Sequence, residues 1–202
     1  ATNIEWTPSM MPDGITARLA YTPNFGTKNI GDKGLGGDGG GGTGSGYDVT
    51  LQIGGDAIGM TGLTLYGGTS TIEESGLTYL GDLTEHTAAA TYAVGGFTFG
   101  YQWSQENKKV HNGISEYNND MWGVSFNVND DLSVSYGNFT SKRGFNAVST
   151  AERKTEAESY QLAYSMGGAS LKIAETSVDN AQYVTGSSQD YEGTTIALSL
   201  AF

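Results

Sequence analysis

The chain contains no cysteine, which excludes a disulfide framework, a thiol nucleophile and cysteine-ligated metal. Histidine is almost as scarce. The two present, His86 and His111, stand far apart and outside any HExxH pattern, so no metal site is expected. His86 adjoins Glu85, but neighbours on a strand point to opposite faces, so no hydroxyl–imidazole–carboxylate relay forms locally. The chain reads as a non-enzyme without a cofactor. Long apolar runs are missing too: mean hydropathy is −0.33, and no stretch approaches the ~20 residues of a membrane helix. That excludes a helical membrane protein but not a membrane β-barrel, whose strands are only half apolar. Basic residues number ten against twenty-two acidic ones, and the net charge of −12 argues against a nucleic-acid partner. The opening ATNIEWTPSM shows no secretory leader, as expected of a mature or internal segment.

Three prolines against thirty-one glycines and twelve tyrosines favour strands and turns. Their arrangement is regular. FTFGYQWSQ, residues 97–105, sets Phe97, Phe99, Tyr101 and Trp103 at every second position, with Thr98, Gly100, Gln102 and Ser104 between. A strand of that pattern has one apolar and one polar face. The alternation returns at 87–94, 120–128, 131–136, 159–166 and 193–202, and in shorter form at NIEWT, GITARLAY, YDVTLQI, LTLYGGT and SLKIAET. About eleven strands are expected in a single domain spanning 1–202.

The connections alternate as well. Tight ones fall at PSMMPD, GDAIGM, 95–96, 129–131 and 167–168, and longer polar ones at 23–46, 74–84, 106–119, 142–156 and 180–190. Every hairpin would thus close tightly at one end of the sheet and loosely at the other. Membrane β-barrels sort their loops in this way. Of the ten Lys and Arg residues only Arg18 and Lys172 fall in the alternating segments, both at polar positions, and the rest are assigned to the long connections. The apolar face therefore stays nearly free of charge over the 9–11 residues that a tilted crossing requires. Glu175 is the exception, near a strand end. The fold expected is an all-β antiparallel transmembrane barrel. A soluble sandwich, perhaps carbohydrate-binding, would show the same alternation strand by strand, but it accounts for neither the sorted connections nor the Tyr and Trp near strand ends.

Two stretches go beyond pattern. The terminus IALSLAF resembles the C-terminal signal of bacterial outer-membrane proteins, with a final aromatic and apolar residues at alternate positions before it. NIEWTPSMMPDGITARLAYTPN resembles a segment of the Gram-negative general porins, carried here by Asn3, Ile4, Trp6, Thr7-Pro8, Gly14 and Tyr21. In that family the segment follows the constriction loop, and the barrel has sixteen strands. The resemblance implies that these eleven strands are the C-terminal part of such a barrel. It also implies an outer-membrane homotrimer in contact with lipid and lipopolysaccharide, passing small hydrophilic solutes.

Parity then assigns faces. Glu5, Arg18, Gln52, Tyr66, Gln102, Asn127, Gln161 and Lys172 are expected to line a water-filled lumen. Phe97, Phe99, Tyr101, Trp103, Trp122, Phe126, Tyr160, Tyr164, Leu198 and Phe202 are expected to face lipid. By resemblance, Arg18 and Lys172 would be fixed positive charges of the pore wall, although a lone Arg on a strand reads equally well as a solvated charge. The glycine-rich stretch 31–48 has neither the repeated register of a Ca²⁺-binding nonapeptide array nor a phosphate-loop Lys-Ser/Thr, and reads as a surface loop. A receptor or adhesin acting through the long loops remains the competing function.

Overall fold

In the computed structural model, which describes residues 3–23, 44–74, 80–146 and 150–200, the chain forms one antiparallel sheet of eleven strands. The strands are β1 (Ile4–Trp6), β2 (Ile15–Thr22), β3 (Gly46–Gly54), β4 (Leu63–Ile72), β5 (Leu83–Val94), β6 (Phe97–Asn107), β7 (Ile114–Asn127), β8 (Leu132–Phe145), β9 (Arg153–Met166), β10 (Ala169–Asp179) and β11 (Tyr191–Leu200). Each pairs with its neighbours in sequence, so the sheet is a pure meander whose edges are β1 and β11. Among the described residues no helix is long and apolar enough to cross a membrane.

Among the described residues a second, stacked sheet does not occur, which removes the sandwich alternative. The energetics agree. The buried hydrophobic residues are few (Ile72, Leu83, Val110, Tyr117, Ala181 and Tyr183), while Phe99, Tyr101, Trp122, Tyr160 and Leu198 are exposed. A sheet so built is held by its ladders and cross-strand pairs and has no central core.

Residues 95–96, 128–131 and 167–168 turn tightly at one end, where 7–14 and 55–62 also lie. These last two are longer than 108–113 and 146–152 at the other end, so loop length does not separate the two ends as expected. In both two-glycine turns the first glycine has positive φ, +57° at Gly95 and +58° at Gly167, and the second does not. This is the II′ arrangement whose twist suits a hairpin. At the other end the strands run further than their alternation suggests. β6 reaches Asn107, β7 starts at Ile114, β8 reaches Phe145 and β9 starts at Arg153. Lys142, Arg143, Arg153 and Lys154 are therefore strand residues and not loop residues, with Lys142 opposite Lys154 and Arg143 opposite Arg153. The reason is length. β7, β8 and β9 each have 14 residues, more than the 9–11 of a bilayer crossing, so polar residues continue the ladder beyond the apolar band.

Candidate functional site: the polar face of the sheet

Partners across an antiparallel ladder share a face, and so do residues two apart on a strand. Starting from Glu5, the register runs Glu5↔Ala20, Arg18↔Thr50, Gln52↔Tyr66, Tyr66↔Ala89, Ala89↔Gln102 and Gln102↔Met121. It continues through Met121↔Phe139, Ser135↔Gln161, Gln161↔Ala174 and Lys172↔Ala197. Glu5, Arg18, Gln52, Tyr66, Gln102, Asn127, Gln161 and Lys172 thus all lie on one face. They are spread along it and do not converge on a point. Arg18 has a partner, its Nη1 lying 3.6 Å from Glu5 Oε1 with both side chains more than half exposed. A pair so solvated contributes little to stability.

The opposite face carries Phe97, Phe99, Tyr101, Trp103, Trp122, Phe126, Tyr160, Tyr164 and Leu198. Phe202 lies outside the described residues. Ring centroids follow one another at 4.4 Å for Phe97–Phe126, 5.2 Å for Trp122–Tyr136 and 4.8 Å for Tyr136–Tyr160. Toward the loop end, hydroxyls on this face find carboxylates. Tyr101 donates to Asp120 at 2.6 Å, Tyr136 to Glu158 at 2.9 Å, and Thr194 to Glu175 at 2.5 Å. The apolar band therefore ends in a line of hydroxyl–acid pairs, two of them made by tyrosine, an aromatic whose polar tip bridges oil and water. Glu175, the charge at an apolar position, belongs to that line.

On the polar face two features stand out. Gly100, Gly123 and Gly137 are adjacent in register, so three neighbouring strands present bare backbone. Beside them a hollow of about 590 Å³ is lined by Tyr66, Thr87, Ala89, Thr91, Gln102 and Met121. Nearer the loop end runs an unbroken row: Asp48↔Ser70↔Glu85↔Glu106↔Tyr117↔Arg143↔Arg153. Its acids stand on β3, β5 and β6 and its bases on β8 and β9. At about 4.8 Å per strand, Asp48 and Arg153 are roughly 29 Å apart along the sheet. Glu106 is fully buried, Glu85 and Arg143 half-buried, and Arg153 exposed. The charge along this row is thus divided laterally, negative on one side and positive on the other. Among the described residues no group of His, Asp and Glu could hold a metal ion.

Between and below these charges lies a buried hydrogen-bond relay. Asn119 Nδ2 donates to Ser104 Oγ at 3.2 Å, Ser141 Oγ donates to Asn119 Oδ1 at 2.5 Å, and Ser141 Oγ meets the Tyr183 hydroxyl at 2.6 Å. Glu85, Glu106, Arg143, Arg153 and Tyr183 are absent from the residues expected to face the lumen. For four of them a signal existed. Counting by twos from Gln102 through Ser104 reaches Glu106, and from Ser135 through Phe139 and Ser141 reaches Arg143. Glu85 and Arg153 then follow as ladder partners. Tyr183 had none, because it sits in a connection between strands.

The sheet is the wall of a porin-like β-barrel in fold. Among solved structures, OmpF of Salmonella typhi in complex with daunomycin is similar to it. The TM-score is 0.70 at 10% sequence identity, over 98% of this chain and 61% of that one. The chain thus spans about three-fifths of the length of that structure. No protein-family model and no curated protein matches the sequence.

Proposed function

We propose that the protein is an outer-membrane porin, passing small hydrophilic solutes and ions by diffusion along the polar face, with its apolar face against lipid and lipopolysaccharide. In this reading it works as a homotrimer, as the general porins it resembles do. One observation carries the proposal: a single sheet exposes an uncharged aromatic band on one side and a laterally charged row on the other. A soluble domain would bury the first, and a closed, side-chain-filled barrel would have no use for the second. Glu5, Arg18, Gln52, Tyr66, Gln102, Asn127, Gln161 and Lys172 line the aqueous path, joined by Glu85 and Arg143. The porin-like fold supports the reading.

Planar bilayers test it. Purified protein in detergent, added to one chamber, should give stepwise ohmic currents that scale with salt conductivity. Silence from correctly folded protein would favour a barrel that acts through its loops, as a receptor or adhesin.

A further inference from the structure

The connection between β10 and β11, residues 180–190, does not stay at the rim. Among the described residues the other connections at this end bond to one another or to neighbouring strand ends: Leu80 N–H to the Lys109 carbonyl, Lys108 N–H to Ser115, Asn146 to Gly113 and Val110. The 180–190 connection instead reaches onto the wall. Thr155 Oγ1 donates to the Asn180 carbonyl at 2.8 Å and accepts from the Tyr183 N–H at 3.1 Å. The Tyr183 hydroxyl meets Ser141, and its ring lies 5.6 Å from that of Tyr117. The Arg143 guanidinium carbon sits 4.5 Å from the Tyr183 ring centroid. Tyr117, Ser141, Arg143 and Thr155 are ladder partners on the polar face, so the docking is on that side alone.

The docking is costly locally. Asn180, Gln182 and Tyr183 all have left-handed backbone, with φ of 52°, 58° and 61°, a region that Gln and Tyr rarely adopt. Such strain persists where surrounding contacts determine it, and it concentrates at functional positions. Here those contacts surround one side chain, Tyr183, which is 2% exposed.

We infer that Tyr183 determines the ion preference of the channel by covering Arg143. A ring stacked on a guanidinium removes water from it and holds it against the electron-rich π face, away from passing ions. Arg143 stands in the row where acids and bases are laterally separated, on its basic side, and its Nε has no hydrogen-bond partner. With the ring in place Arg143 is screened and the exposed base of the row is Arg153 alone, so the balance along the path shifts toward cations. The loop also takes up space over β7–β9. The inference rests on the porin reading and adds to it a particular residue and its ion class.

Two measurements decide it. In planar bilayers under a salt gradient, Tyr183→Ala should raise conductance and move the reversal potential toward the anion. In an Arg143→Gln background that selectivity shift should vanish. Thr155→Val, which removes only the side-chain bonds to the loop backbone, should act in the same direction but less, and serves if Tyr183→Ala folds poorly. Unchanged selectivity in both variants overturns the inference. The second measurement needs no current. The chain has no cysteine, and Ser141 is fully buried beneath Tyr183. A Ser141→Cys thiol should therefore react slowly with a membrane-impermeant methanethiosulfonate, and quickly once Tyr183→Ala is added. Equal, fast labelling without the second substitution would show the loop undocked and overturn the inference. If the wild-type protein makes no channels, the porin reading fails, while labelling still decides whether the loop is docked.

Discussion

Asn119 shows how a residue on the polar face of the sheet can be structural. It is 1% exposed, between Ser104 and Ser141, which are also buried, and its amide serves both, donating to one and accepting from the other. Buried polar groups on three adjacent strands are satisfied only as a set, so the middle member matters most. Asn119→Ala should lower stability by about 1–3 kcal/mol, because two buried hydroxyls lose a partner. Asn118→Ala, one residue earlier and on the other face, should change it by less than about 0.5 kcal/mol. Urea unfolding in detergent, followed by tryptophan emission, compares the two. Equal midpoints would mean that the relay adds nothing.

At the level of the strand, the sheet depends on a period of two and on little else. That period was legible wherever one parity is apolar. Phe97 to Trp103, Trp122 to Phe126 and Tyr160 to Met166 all fall in strands on one common face. It faded where both parities are polar. Ile114–Asn119 reads ISEYNN and Ser141–Phe145 reads SKRGF, so neither parity stands out, yet the ladder continues through both. A bulge between Ile114 and Glu116 shifts the register there, which further hides the count. For this reason the aromatic band is plain in the sequence and the charged row is not. The docking of Tyr183 was unreadable for a different reason. It joins residues 183 and 141 through folding of the chain, and no local pattern encodes such a contact. The period itself makes a sharp prediction at Val124 and Ser125, neighbours on β7 in the middle of the band. Val124 lies opposite Phe99 and Tyr136, and Ser125 opposite Thr98 and Ser135. Val124→Arg should cost about 2–4 kcal/mol when the protein folds into lipid vesicles, the penalty for a lipid-facing arginine near the midplane. Ser125→Arg should fold almost as the parent does and alter conductance instead. Were the two penalties equal, or their order reversed, the assignment of faces would be wrong.

Taken whole, the molecule inverts the usual relation between burial and stability. Its large apolar side chains are among its most exposed, with Trp122 48% and Trp6 55% accessible, while Glu106, Asn119 and Ser104 are nearly or wholly buried. In water an uncovered aromatic sheet of this size would associate. In a bilayer the same surface is solvated, and a ladder that pairs each strand with its neighbours in sequence suits hydrocarbon. The tryptophans report which solvent applies. Trp6, Trp103 and Trp122 all belong to the apolar face, through Trp6↔Leu19, Trp103↔Ala88 and Tyr101↔Trp122. Reconstituted into vesicles whose acyl chains carry bromine, the protein should lose most of its tryptophan emission, whereas aqueous iodide should leave that emission largely intact. Quenching by iodide would put the band in water, and quenching by neither agent would put it against protein. Either result would remove the physical basis for a membrane channel, because a wet polar face needs a lipid-solvated one behind it.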